Sequence, residues 1–260
     1  MGFTFAHFSD CHIGGWRDEQ LKTLSIKSFT TATDICIKRN VDFIIIAGDL
    51  FNTSLPVFDA LKEVAHTLKT LKEHHIRVYL IPGSHDYSPS GKTMIDVLEK
   101  AGLCTNVYQP HNDTLLFTTD KPTGVKLTGI IGLKGGLDTH HYKTLNLHDL
   151  EREPGFKIFV FHCLIDNYKP EFLSMIQGEP LTSFPKGFNY YAGGHPHYIF
   201  HKHEPDYGLI TYPGPLFPNN FAEMERLKHG GFYLIDHNLT IEYVPLELKK
   251  VTPLHINADG

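Results

Sequence analysis

An α/β fold of two packed sheets with helices outside is predicted by three features of this chain. Over roughly the first 110 residues, short apolar runs alternate with stretches of helical spacing, the pattern of a buried parallel sheet. From Leu115 onward, short strand candidates are separated by turn residues with few helical stretches between them, which predicts a second sheet against the first. Five apolar runs also end on Asp or His residues able to bind a metal, and in open α/β sheets ligands bind beyond the carboxyl ends of the strands.

The elements follow in order. Phe3–Phe8 is the first strand and runs into Ser9-Asp10-Cys11-His12. The segment Leu21–Lys38 places Leu21, Leu24, Ser28, Ala32 and Ile35 on one helical face. Phe43–Ala47 is a wholly apolar strand ending at Gly48-Asp49. Val57–Lys72 repeats the helical spacing through Leu61, Val64, Ala65, Leu68 and Leu71, with Pro56 at its start, where a missing N–H costs nothing. Val78–Ile81 leads into Pro82-Gly83-Ser84-His85-Asp86, and Met94–Leu98 makes a shorter helix that stops at Gly102. Further strands are expected at Leu115–Thr118, Lys126–Leu133, Ile158–Phe161 ending at His162, and Tyr190–Ala192 ending at Gly193-Gly194-His195-Pro196-His197. Ile199–His203, Leu209–Tyr212, Gly231–Ile235 and Thr240–Val244 complete the second sheet in this reading. The polar run Gly135–Gly155, with His140, His141 and His148, is expected to be an active-site loop with short helical turns.

The five strand ends together read as a divalent metal site. Asp10 and His12, at i and i+2, fall on one side of a strand leaving the sheet, with Cys11 turned into the packing. Taken alone, this pair fits a polar strand end with incidental Asp and His equally well. Asp49 follows a strand too apolar to leave a carboxylate unpaired. As a helix N-cap it would stand several residues too early, so a cation is the better partner, and its central strand makes it the natural bridge between two ions. His195 and His197 repeat the i, i+2 spacing after two glycines that let backbone approach a ligand. His162 is uninformative alone and fits as another strand end, whereas His201 and His203 are expected on the outer face of an exposed strand. His85 is the candidate catalytic imidazole, with Asp86 beside it to hold it charged and oriented. Ser90-Gly91-Lys92-Thr93 is not a phosphate-binding loop, because Asp86 stands where that motif needs its first glycine.

Composition narrows the class. With 41 % hydrophobic and 20 % charged residues among 260, this is an ordinary globular chain. A net charge of −5 argues against whole-molecule attraction to nucleic acid or anionic membrane, although two bound divalent cations would reverse the sign locally. Histidine is over-represented, with 18 residues in no tag-like run. The four cysteines have no C-x-x-C spacing, which suits a reducing, cytoplasmic compartment. No apolar stretch approaches the ~18 residues of a membrane span, so no membrane partner is expected. Neither a serine-hydrolase elbow nor a His-Glu-x-x-His helix is present.

The ordered set Asp-x-His, Gly-Asp, Gly-x-His-Asp, His, Gly-His-x-His resembles the calcineurin-like metallophosphoesterases. Within them, Phe5–Gly14, Ile46–Phe51 and Tyr212-Pro213-Gly214-Pro215, followed by Phe221, Glu223 and Gly231-Phe232, are similar to the SbcD/Mre-type DNA repair exonucleases. The resemblance implies a four-layer α/β/β/α sandwich, a nuclease domain over 1–245, and a tail or linker toward a capping domain over 246–260. It implies one metal held by Asp10, His12, Asp49 and His197, and a second held by Asp49, Ser84, His162 and His195. Oxygen and imidazole donors without thiolate suit Mn²⁺, Fe or Zn²⁺, with Mg²⁺ as a further alternative, and this branch typically works with Mn²⁺. DNA as substrate, an SbcC/Rad-type ATPase partner, and a homodimer built on the first helices follow from the same resemblance; core packing is the default for the Val57–Lys72 stripe, with part of it at such an interface as the alternative.

Two departures qualify it. The family has Asn where this chain has Ser84, and a shorter hydroxyl predicts a looser second metal. Nothing after Val244 offers room for the capping domain or the partner-binding segment. The rivals are a small-molecule phosphodiesterase or phosphatase and a weakly active scaffold subunit. Trp16-Arg17, Lys92, Lys134 and Lys143 are candidate DNA contacts, for which an ordinary surface role is the commoner reading.

Overall fold

The computed structural model describes residues 2–88, 92–112, 114–133, 142–143 and 145–253. Its first sheet grows from β1 (Thr4–Phe8), α1 (Glu19–Lys38), β2 (Phe43–Ala47), α2 (Phe58–Glu73), β3 (Arg77–Ile81), α3 (Met94–Lys100) and β4 (Thr105–Asn106). The strands run parallel in the register Phe5↔Phe43, Ile45↔Tyr79 and Tyr79↔Thr105. Every residue of β2 is buried, and its period-2 alternation explains why. Ile44 and Ile46 pack toward the helices with Phe29, Val64 and Leu68. Phe43, Ile45 and Ala47 face the opposite way, into a second apolar layer. Asp18 caps α1 by accepting the N–H groups of Gln20 and Leu21. Pro56 lies one residue before Val57, the N-cap of α2, rather than inside the helix. Thr93 and Asp96 form a reciprocal capping box on α3, so the Lys92-Thr93 pair serves a helix start.

Next come β5 (Pro110–His111), β6 (Thr114–Leu115), β7 (Thr118–Thr119), β8 (Lys126–Gly129), α4 (Leu147–Arg152), β9 (Lys157–His162), β10 (Tyr190–Gly194), β11 (Phe200–Glu204) and β12 (Gly208–Tyr212). The strand expected over Leu115–Thr118 is thus split between a small β5–β6 hairpin and β7. The second sheet has the order β11-β12-β10-β9-β8-β7, parallel through β8, β9, β10 and β12 with antiparallel edges.

The chain then forms α5 (Phe221–Leu227), β13 (Gly230–Asp236) and β14 (Ile241–Leu246). This hairpin corrects the expectation that the last two strands complete the second sheet. It joins the first, with β13 antiparallel to β1 in the register Phe5↔Ile235. Without it β1 would be an open edge, with unpaired backbone groups along a strand buried from Phe5 to Phe8.

Four layers result. Helices α1–α3 cover the first sheet, the two sheets meet face to face, and α4 with three 3₁₀ turns covers the second over an aromatic cluster of Phe159, Phe161, Phe184 and Tyr191. At the seam Phe5 stacks on Phe43 and meets the edge of Tyr190 at 5.0 Å. A polar clamp closes one end of the seam. Arg77 of β3 makes two 2.9 Å bonds to the fully buried Asp120, which also accepts the Tyr79 hydroxyl at 2.7 Å. Among the described residues no helix is long and apolar enough to cross a membrane.

Candidate metal centre

All five predicted strand ends converge at the carboxyl edge of both sheets. The loop after β1 is laced to the loop after β2 through Asp10 N to Gly48 O, His12 N to Asp49 O and Ile13 N to Leu50 O. Asp10 and His12 are not in strand conformation, as the i, i+2 reasoning assumed. Their φ angles are 50° and 43°, and Asp49 (52°) and His195 (93°) are also left-handed. Four strained backbone positions in one cluster of polar side chains mark a functional site. Cys11 is buried in the helix-side core, as expected.

Three groups of donors lie within reach of a single ion: Asp10, His12 and His197; Asp10, Asp49 and His162; and His12, Asp49 and His85. Asp49 Oδ2 stands 3.7 Å from His12 Nε2 and 3.1 Å from His162 Nε2. Asp10 Oδ1 is 3.5 Å from His197 Nε2, and both Asp10 oxygens accept the backbone N–H of His195 at 3.1 Å. The His195 ring stands edge-on to His162, centroids 5.3 Å apart. Ser84 is buried in the turn before His85.

Glycines make the space. The ring of His162 fills room that side chains at positions 48 and 194 would occupy: a Cβ on Gly48 (φ +84°) would lie 2.2 Å from His162 Nδ1, and one on Gly194 2.0 Å from Ala47 O.

The donor arrangement fits a cation. His162 Nδ1 donates to Ala47 O at 2.8 Å, so in the neutral ring Nε2 carries the lone pair, and among the described residues that buried atom then faces only the Asp49 carboxylate. His12 and His197 bring their Nε2 atoms within 3.1 Å of each other. Two lone pairs, or a lone pair and a carboxylate, face each other at such distances only with a proton or a metal ion between them. Protons do this in the metal-free protein. Burial pushes His162 down, but the Asp49 carboxylate, with Asp10 behind it, lifts it to about 9. For His197, burial is outweighed by Asp10 and then Glu223, giving about 10. Burial holds His12 and His195 down at about 4. Asp10 and Asp49, despite burial, sit well below the usual carboxylate range because of the surrounding imidazoles.

Residues 3–223 match the sequence pattern of the calcineurin-like phosphoesterases. The chain belongs to that family. Among its phosphoesterase relatives, it is 26 % identical over 98 % of its length to the DNA double-strand break repair protein Mre11 of Archaeoglobus fulgidus, of which it covers 62 %. It is 30 % identical over 88 % of its length to the same-named protein of Saccharolobus solfataricus, covering 59 %. The chain therefore spans about three fifths of the length of these curated relatives. Its fold is similar to that of a dimetal phosphatase from Danio rerio, with a TM-score of 0.52 at 11 % identity over 89 % of this chain and 91 % of that one.

Within this phosphoesterase domain, one expected contact is corrected. Asp86 does not reach the His85 ring. Its buried carboxylate accepts the N–H groups of Leu50, Phe51 and Gly83 at 2.9–3.1 Å, tying the second and third loops together. Burial and the charge of Asp49 push it upward to about 7, against those three bonds. His85 is oriented instead by a backbone group, Asn52 O, 2.8 Å from its Nδ1. Trp16 is also structural: its indole donates to Pro218 O, and its ring meets the edge of Phe221. Arg17, Lys92 and Lys143 are exposed, whereas Lys134, His140, His141 and much of the expected active-site loop lie outside the described residues. Sequence reasoning assigned no role to Glu223, which accepts from His197 Nδ1 at 2.9 Å. Its place three residues after Asn220 signals a helix cap, not a site.

Proposed function

We propose that this chain is the catalytic domain of a Mn²⁺-dependent DNA nuclease of the double-strand-break repair type, cleaving phosphodiester bonds at a two-cation centre. The observation that carries this is Asp49 Oδ2 set between His12 of one donor group and His162 of the other. In this reading Asp10, His12, Asp49 and His197 hold one ion, and Asp49, Ser84, His162 and His195 hold the second. When bound, the ions would supply Lewis acidity for the phosphate oxygens and lower the pKa of the attacking water.

The chain's own residues supply position and a proton. His85 Nδ1 is anchored on Asn52 O, so Nε2 faces the cluster; in its protonated form it donates to the leaving oxygen. A cleft of about 470 Å³ opens beside His195 and His197, walled by Leu164, Phe172 and Ile176 with Arg226 at its rim. An apolar wall beside a phosphate-binding centre suits a nucleobase. The names of the relatives, DNA double-strand break repair proteins, support the same substrate.

An SbcC/Rad-type ATPase partner and a homodimer belong to the same proposal. Leu55, Val57 and Phe58, exposed by 76, 57 and 89 %, form an apolar surface at the start of α2 that a second copy would cover. The test is hydrolysis of labelled single- and double-stranded DNA with and without Mn²⁺, with His85→Asn as control. Mn²⁺-dependent cleavage that the substitution removes is expected. Robust turnover of a small phosphodiester without DNA cleavage would replace the DNA reading.

A further inference from the structure

Helix α5 grips His197 twice. Glu223 Oε1 accepts from His197 Nδ1 at 2.9 Å, and Arg226, three residues on, donates to the His197 carbonyl oxygen at 2.7 Å. Glu223 is itself immobilised. Its Oε2 accepts the Asn219 N–H at 2.8 Å, Asn220 Nδ2 donates to Oε1 at 2.7 Å, and its own N–H donates to Asn220 Oδ1 at 2.9 Å. The Trp16 indole, bonded to Pro218 O, ties the segment before α5 to the loop that carries Asp10 and His12.

The histidines of the centre are not backed alike. His162 and His85 place Nδ1 against neutral backbone carbonyls, those of Ala47 and Asn52. His12 Nδ1 has no hydrogen-bond partner among the described residues. Of these four imidazoles only His197 is backed by a carboxylate. A carboxylate only accepts, so Nδ1 keeps its proton, and once the ring is neutral Nε2 is the atom whose lone pair lies toward Asp10 Oδ1 and His12 Nε2. Such backing fixes ring orientation and raises the basicity of an imidazole ligand.

We propose that Glu223 is a positioning residue of the metal centre, selecting the Nδ1–H form of His197 and aiming its Nε2 at the ion held with Asp10 and His12. The proposal rests on His197 being a ligand, as in the function proposed above. It makes the two cation sites inequivalent: loss of Glu223 weakens one and spares the one built on His162.

Calorimetric titration with Mn²⁺ alone tests this on the native protein, Glu223→Gln, Glu223→Ala and His197→Ala, with metal-free melting temperatures as the check on folding. One of two binding events is expected to weaken roughly 10-fold in Glu223→Gln, which keeps an acceptor, and toward 100-fold in Glu223→Ala, the other staying unchanged. Nitrogen-15 spectra of the Zn²⁺-loaded protein should show His197 protonated at Nδ1, a signature lost in Glu223→Ala. Should Glu223→Ala fail to fold, Glu223→Gln and the spectrum of the native protein carry the test. Unchanged affinities in both Glu223 variants, with His197→Ala losing one event, would overturn this inference and leave the function standing. No change in any variant, His197→Ala included, would overturn both.

Discussion

Asp49 Oδ2 and His162 Nε2 lie 3.1 Å apart across the seam between the two sheets, one from the loop after β2 and the other at the end of β9. The contact is an acid and a base that in the metal-free protein share a proton and that a cation would bridge.

Metal binding must therefore release protons. His162 at about 9 and His197 at about 10 are both charged near neutral pH, and a metal ligand must be the neutral imidazole. About two protons should leave per fully loaded centre at pH 7, and Mn²⁺ affinity should rise with pH. In the metal-free protein, the stability these raised values contribute is complete below the unfolded value of about 6.5 and is lost as pH climbs through 9 and 10. The rise in melting temperature on adding Mn²⁺ should thus be larger at pH 8 than at pH 6. Calorimetry in buffers of different ionisation enthalpy counts the protons; equal heats in all buffers would refute the release.

Ser84→Asn places a carbonyl where a shorter hydroxyl now stands. The weaker of the two Mn²⁺ events should tighten while the stronger keeps its affinity. A titration identical to that of the native protein would show that Ser84 is not at the second ion.

His85 and Asp86 are adjacent in sequence and should separate in effect. His85→Asn is expected to keep both metal events and the melting temperature while turnover falls by about 10²–10⁴-fold. Asp86→Asn replaces an acceptor of three backbone N–H bonds with a partial donor. It should cost about 3 kcal/mol of stability, visible as a large drop in melting temperature. Near-native melting of Asp86→Asn would show that these three bonds do not hold the two loops together.

Gly48→Ala should empty the second site. The new Cβ would sit 2.2 Å from His162 Nδ1 at a φ of +84°, so the imidazole must leave Ala47 O or the loop must move. One Mn²⁺ event is expected to vanish, with about 1–3 kcal/mol of stability lost to backbone strain. Retention of both events would mean that the ring has room to shift.

The donor-bearing strand ends were legible because they are local: each Asp or His closes its own apolar run, and parallel topology brings those ends to one edge. The first three βα units were legible from spacing alone, since Ile44/Ile46 and Leu61/Leu68 declare their faces. What was hidden is non-local. The pairing of Phe5 with Ile235 places the last hairpin in the first sheet, and nothing within Gly230–Leu246 distinguishes one sheet edge from another. Asn52 acts through a backbone oxygen, which no side chain advertises. The left-handed backbone at Asp10, His12 and Asp49 is imposed by the lacing of two loops, whereas their residue types alone suggest ordinary strand exits.

The return of β13 to β1 has a consequence for a chain emerging from the ribosome. β1 waits for β13, and at 5–20 residues per second that wait is roughly 10–50 s. Throughout it β1 exposes an edge suited to mispairing. The Asp10–His12 loop at its end has neither a settled strand beneath it nor Glu223 to aim His197. A nascent chain would thus be slow to capture a cation, and the finished sheet would act as the timer that licenses loading.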